Sequence, residues 1–156
     1  MACDACLRKP HECPQSKHDD MTKLDAILTQ ADGIVMCSPS YFANVTGLMK
    51  DLIDRTRPLK MAKYRLKNKY FSVIATWGLR AGGLNTVQEV LNQFALIHGM
   101  VVVGAVGHPL LMANLPTETG QMEHLKEFRN PAVISEVAQI NVESLAQRFW
   151  DLMQEY

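Results

Sequence analysis

The sequence lacks charge of one sign, long apolar runs and internal repeats. Lys plus Arg number 16 and Asp plus Glu number 16, so no global field draws the chain to nucleic acid or to a membrane surface. No apolar stretch approaches the ~20 residues of a membrane span. The first residues are polar and hold no apolar signal-peptide core, so the chain is expected in the cytoplasm, where thiols stay reduced. The absence of repeats and low-complexity linkers argues against a solenoid or an array. No G-x-G-x-x-G fingerprint is present to assign a dinucleotide. Aromatic residues make up only 7%.

What is present suits one domain over residues 1–156, with 47% hydrophobic residues to build a core. After Asp19 and Asp20, the residues Met21, Leu24, Ile27, Leu28 and Ala31 recur at helical spacing. "IVMCS" follows Gly33 and is too short for a helix. Ile34 and Met36 point one way, Val35 and Cys37 the other, and both sets are apolar. That pattern predicts a strand covered by helices on both faces, with Cys37 as a small core residue. Val45, Leu48, Met49, Leu52 and Ile53 mark a second helix ending before Pro58. A basic linker runs from Arg57 to Lys69 and reads as solvated surface. "YFSVIAT" is a second strand. A third helix is expected from Asn85, with Gln88 completing a capping box, a stripe of Val87, Val90, Leu91, Phe94 and Ala95, and Gly99 as its stop. "MVVVGA" is a third strand. The segment 107–130 is a Gly/Pro-rich loop of unknown role. A last helix is expected from Asn130–Pro131 toward Met153.

Strands alternating with helices predict right-handed crossovers and a parallel sheet. Ligands then bind at the carboxyl ends of the strands. Two post-strand loops, "SPSYFANVTG" and "WGLRAGG", combine aromatics with residues that expose backbone amides. A planar ligand with a polar edge fits such loops, whether a flavin or a nucleotide base. The plainer reading is that Tyr41 and Phe42 close the core. Trp77, just past a strand end, is less easily read that way. His98 and His108 are isolated and read as structural. Cysteines 3, 6 and 13 crowd the first segment, residues 1–20, and read as thiols or metal ligands rather than as a disulfide framework.

The run "ADGIVMCSPSYFANVTGLMKDLIDR", from Ala31 to Arg55, resembles the flavin-binding segment of the NADPH-dependent FMN reductase and iron–sulfur flavoprotein branch of the flavodoxin-like superfamily. "ATWGLRAGG", the helix ending in "IHGM" and the strand "VVVG" resemble the next flavin loop, helix and strand. The resemblance covers most of the chain up to about Gly107. It implies an FMN-dependent oxidoreductase, with hydride or electron transfer between a donor and an acceptor that the sequence does not name. It also implies a homo-oligomer. Ser38, Pro39, Ser40, Tyr41, Phe42, Ala43 and Asn44 match the loop around the ribityl chain and ring. Trp77, Gly78, Gly82 and Gly83 match the loop on the far side of the ring.

Two departures qualify the likeness. Iron–sulfur members carry four cysteines, the first three spaced C-x-x-C-x-x-C. Here Cys3 and Cys6 keep that spacing, Lys9 stands where the third cysteine would be, and Cys13 matches the fourth. A cubane cluster normally takes four thiolates. The set Cys3, Cys6 and Cys13 therefore favours no stable metal. The alternatives are zinc, completed by His11 or His18 in a Cys₃His set, and an iron–sulfur cluster. Secondly, the chain starts after the family's first strand and its phosphate-binding loop. The expected fold is α/β: a truncated flavodoxin-like three-layer sandwich whose short parallel sheet holds the equivalents of strands 3, 4 and 5, with flanking helices. The open strand edge predicts association with another chain. The other readings are an interaction domain that has lost tight flavin binding and a small module using the three cysteines for metal or thiol chemistry.

Overall fold

The computed structural model describes residues 3–10, 13–77, 83–103, 111–112 and 136–154. A short helix α1 (Ala5–Arg8) and a 3₁₀ turn (Pro14–Lys17) precede α2 (Met21–Gln30), β1 (Gly33–Pro39), α3 (Gly47–Arg55) and α4 (Arg57–Met61). Then come β2 (Tyr70–Trp77), α5 (Leu84–His98), β3 (Val101–Val102), β4 (Leu111–Met112) and α6 (Glu136–Gln154). The sheet is parallel, in the order β1-β2-β3. β4 also pairs with β2 in parallel. β3 lies beside Tyr70 and β4 beside Thr76, at opposite ends of β2. Two residues of the segment 107–130 are thus strand rather than loop.

The register Ile34↔Phe71, Met36↔Val73 and Ser38↔Ala75 puts these six residues on one face of the sheet. All six are buried. α5 covers this face with Val87, Leu91, Phe94 and Ala95, and Leu28, Met49, Leu52 and Ile53 pack on the same core. Phe71, Leu66, Leu91 and Val87 are the largest fully buried apolar side chains. Each is worth about 2 kcal/mol on transfer from water. α5 ends as its sequence predicts, on Gly99 at φ 72°, a left-handed cap that a side chain resists.

The opposite face departs from expectation. α6 reaches one end of it. Tyr70 Oη donates to the Leu152 carbonyl at 3.3 Å, and a Cβ on Gly33 would meet the Phe149 ring at 2.8 Å. Beyond that contact Val35 is 44% exposed and Cys37 is exposed. β1 is therefore covered on one face, not two, and Cys37 is not a core residue. An apolar residue in a strand shows that a face suits burial; a second layer must still arrive to bury it. Among the described residues, the outer edge of β1 also has no strand partner.

Two local expectations change. The basic stretch after Thr56 begins as helix α4, with Pro58 near its start, where the missing N–H costs nothing. α5 starts at Leu84 after Gly83 in the left-handed region and has no side-chain cap, so the box of Asn85 and Gln88 does not form. Asp20 flanks α2 without a side-chain cap bond, while Asp19 Oδ1 accepts from the Met21 amide at 3.0 Å. The start of the last helix at Asn130–Pro131 and His108 lie outside the described residues. Among the described residues, no helix is long and apolar enough to cross a membrane.

Candidate functional site

Strands β1 and β2 run in register to Pro39 and Thr76, so their following loops emerge side by side. Ser38, the last inward residue of β1, is 2% exposed and turns the loop back. Its Oγ donates to the Pro39 carbonyl at 3.0 Å and accepts from the Thr46 amide at 3.4 Å. The Ser40 amide then donates to the Thr76 carbonyl at 2.7 Å, pinning the loop to β2.

The next four residues form a tight reversal. The Tyr41 amide donates to the Asn44 carbonyl at 2.9 Å, and the Asn44 amide donates to the Tyr41 carbonyl at 3.1 Å. Phe42 and Ala43 sit at φ 50° and φ 58°. Two positive φ values in a four-residue reversal define a type I′ turn, which normally takes Asn-Gly or Gly-Gly. A bulky residue in the left-handed region costs about 1–2 kcal/mol. Strain of this kind clusters at functional sites. Tyr41 is 63% exposed and Phe42 fully exposed, so neither closes the core. Asn44 holds the turn's exit, its Oδ1 accepting from the Val45 amide at 2.8 Å. Thr46 Oγ1 then caps α3, accepting from the Met49 amide at 3.1 Å.

The second loop touches the first through Gly83. A Cβ there would lie 2.2 Å from Ala43 Cα and 2.9 Å from Ser40 Oγ. Gly83 also has φ 83°. Only glycine meets both conditions. Trp77 ends β2, adjacent to the site. Gly78 and Gly82 lie outside the described residues. The structure thus brings together Ser38, Pro39, Ser40, Tyr41, Phe42, Ala43, Asn44, the Trp77 backbone and Gly83.

A second constellation lies apart from these loops. A cavity of about 520 Å³ is lined by Cys3, Cys6 and Cys13 and by residues from the ends of α3, α4 and α5. All three cysteines are free; Cys3 is exposed and Cys6 buried. Arg55 binds the first segment to α3. Its guanidinium pairs with the Asp19 carboxylate, donates to Ser16 Oγ at 3.2 Å and lies beside the Cys13 thiol. The Arg55 hydrogen bond holds the Asp19 carboxyl below its usual range. Asp25 shifts the other way because burial disfavours its charge. Thr56 Oγ1 donates its single proton to the Ile53 carbonyl at 2.7 Å. The 3.0 Å contact to His98 Nε2 therefore has the imidazole N–H donating to Thr56. Burial, helped by Lys60, lowers the His98 pKa to about 4, so its ring stays neutral. His98 is thus buried and tied to Thr56.

Among the described residues, the donors do not gather as a metal cluster requires. Among the described residues, no group of three or more His, Cys, Asp or Glu is arranged to hold a metal ion. His18 is exposed and does not line the cavity. His11 lies outside the described residues. Sequence reasoning found both loops but not the strained turn, which "YFAN" does not signal. It also missed Arg55, whose partners lie far away in the chain.

A parallel sheet with helices packed on it and two loops side by side at its strand ends is an α/β domain, and its fold is flavodoxin-like. Consistent with this, a WrbA-like flavodoxin of Agrobacterium tumefaciens superposes with a TM-score of 0.51 at 21% identity, over 74% of this chain and 71% of that one. The chain belongs to the NADPH-dependent FMN reductase family, whose model matches residues 3–109. An iron–sulfur flavoprotein of Archaeoglobus fulgidus is 41% identical over 114 residues, 73% of this chain and 55% of that protein. One from Methanocaldococcus jannaschii is 36% identical over 67% of this chain and 52% of its own length. The chain spans about half the length of these relatives.

Proposed function

We propose that this chain forms the ring-binding half of an FMN-dependent oxidoreductase. One observation carries the reading: the strained Tyr41–Asn44 turn is braced by Gly83 and by the Ser40–Thr76 hydrogen bond, yet holds its aromatics out to solvent. Stability alone does not favour that arrangement. A flat ligand seated against the turn would bury Tyr41 and Phe42. Amides of the two loops would address the ligand's polar edge. Bound FMN supplies hydride or electron transfer; the protein's part is to hold the ring, exclude water on one side and place N–H dipoles. Family membership and the relatives' names support a flavin and an oxidoreductase. The electron donor and acceptor are open. Titration with FMN and with riboflavin, followed by flavin fluorescence, tests the reading. Quenching by both, with little discrimination between them, is expected when the ring subsite carries the binding. No quenching by either refutes it.

Association belongs to the same proposal. β1 has seven residues, an outer edge with no strand partner among the described residues, and an exposed face bearing Val35 and Cys37. Such an edge favours pairing with a further strand, and we expect a homo-oligomer. Light scattering on the purified chain checks this; a monodisperse monomer that unfolds cooperatively refutes it. The reading assumes a reducing compartment, the cytoplasm.

A further inference from the structure

We propose that Cys3 and Cys6 are a redox-active dithiol that closes to a disulfide, a site separate from the flavin loops and independent of flavin binding. Asp4, at φ −118° and ψ 11°, already turns toward the helix Ala5–Arg8. Cys3 and Cys6 therefore sit about one helical turn apart, roughly the 5–6 Å between Cα atoms that a disulfide spans. Their environments differ as a reactive pair requires. Cys3 is exposed and can meet an incoming molecule, while Cys6, at 7% exposure, is shielded and can react only within the chain. Both line the same cavity, together with Arg57 and Lys60. Arg57 Nη1 donates to the Cys3 carbonyl at 2.9 Å, which anchors the backbone beside the exposed thiol. The mismatch with a metal cluster sharpens the point. Lys9 removes one ligand, and among the described residues the remaining donors are not grouped to hold a metal ion. A pair needs no third partner.

The oxidant is a small disulfide, RSSR. The Cys3 thiolate attacks one of its sulfurs, breaking the S–S bond, forming Cys3–S–SR and releasing RS⁻. The Cys6 thiolate then attacks the Cys3 sulfur, forming the Cys3–Cys6 bond and expelling a second RS⁻. The two thiol protons pass to the two leaving thiolates. Two protein thiols are oxidised, and one disulfide is reduced to two thiols.

The test uses the full chain with Cys37→Ser, which removes the exposed thiol on the sheet face without touching the cavity. The protein is equilibrated in glutathione buffers of graded oxidation, alkylated and digested with trypsin. Cleavage after Arg8 leaves Cys3 and Cys6 on one peptide and Cys13 on another. The expected result is a peptide carrying an internal disulfide while Cys13 stays alkylated. Under native reducing conditions, Cys3 should alkylate at least tenfold faster than Cys6. In Cys6→Ser, the Cys3–glutathione adduct should accumulate. Should that buried substitution unfold the chain, Cys3→Ser serves instead and should abolish the internal disulfide. A disulfide joining the two peptides, or separate glutathione adducts with no closure, overturns the proposal. So does stoichiometric iron bound by the natural sequence on anaerobic reconstitution and lost in Cys3→Ser.

Discussion

Replacing Gly83 by alanine tests the site at its tightest point. The new Cβ would lie 2.2 Å from Ala43 Cα and 2.6 Å from Ala43 Cβ, where ordinary contact begins at 3.4 Å. The loops must separate by more than 1 Å, and the atom in the way is backbone, which cannot rotate aside. Two costs add. Alanine held at φ 83° loses roughly 1–2 kcal/mol relative to glycine. Separation also pulls on the Ser40–Thr76 and Tyr41–Asn44 hydrogen bonds, each worth about 1 kcal/mol net. A destabilisation of about 2–3 kcal/mol is expected, since the full bonds need not break. The effect on ligand binding should exceed the effect on stability, because the displaced turn is the one that presents Tyr41 and Phe42.

Gly47→Ala is the matched control. A Cβ at Gly47 meets nothing within 4 Å, and the residue begins α3. Alanine there should be neutral or stabilising by up to about 1 kcal/mol. Urea unfolding and flavin fluorescence titration of both variants settle the matter. If Gly83→Ala matches the natural chain in midpoint and in flavin affinity, the loops are not in contact and the reasoning fails.

His98 should give a pH signature. Its pKa is about 4 in the folded chain against an ordinary 6.5, so the unfolded chain takes up the proton first and stability falls with pH. The contribution is full above pH 6.5, and about 3 kcal/mol is lost by pH 4; His98→Gln should flatten urea midpoints across that window. Phe149→Ala removes the ring that α6 places against Gly33 and should cost about 3 kcal/mol, read as a drop in Tm. Lys9→Cys restores the family's third cysteine and should raise iron incorporation on anaerobic reconstitution above that of the natural chain, as an iron and sulfide assay would report.

The helices were legible because their stripes are local. Val87, Leu91, Phe94 and Ala95 read as the buried face of α5 from spacing alone, and that is the face it buries. The strands were legible as strands but not as to which face is covered. Val35 and Cys37 are as apolar as Ile34 and Met36; α5 packs on the face of the buried pair, and α6 stops short of the exposed pair. The onset of α4 was signalled by Pro58, but the density of lysines concealed it. At the site, the loops announced themselves through Pro39, Gly83 and the aromatics. The geometry that makes them a site did not, because a type I′ turn built from Phe42 and Ala43 breaks the local rule for such turns.

That broken rule raises the question of what keeps the turn in place. A type I′ turn with bulky residues would relax if it were free. Here each end is tied: Ser40 is bound to β2 through Thr76, and Asn44 is bound to Tyr41 and to the Val45 amide leading into α3. Gly83 closes the remaining side by leaving no room for the turn to swing. None of these restraints calls on the open edge of β1 or on its exposed face. The β1–β2 register and the start of α5 supply them. The loops after β1 and β2 are therefore shaped by the β1–β2 pairing and the start of α5, and whatever covers Val35 and Cys37 has no part in shaping them.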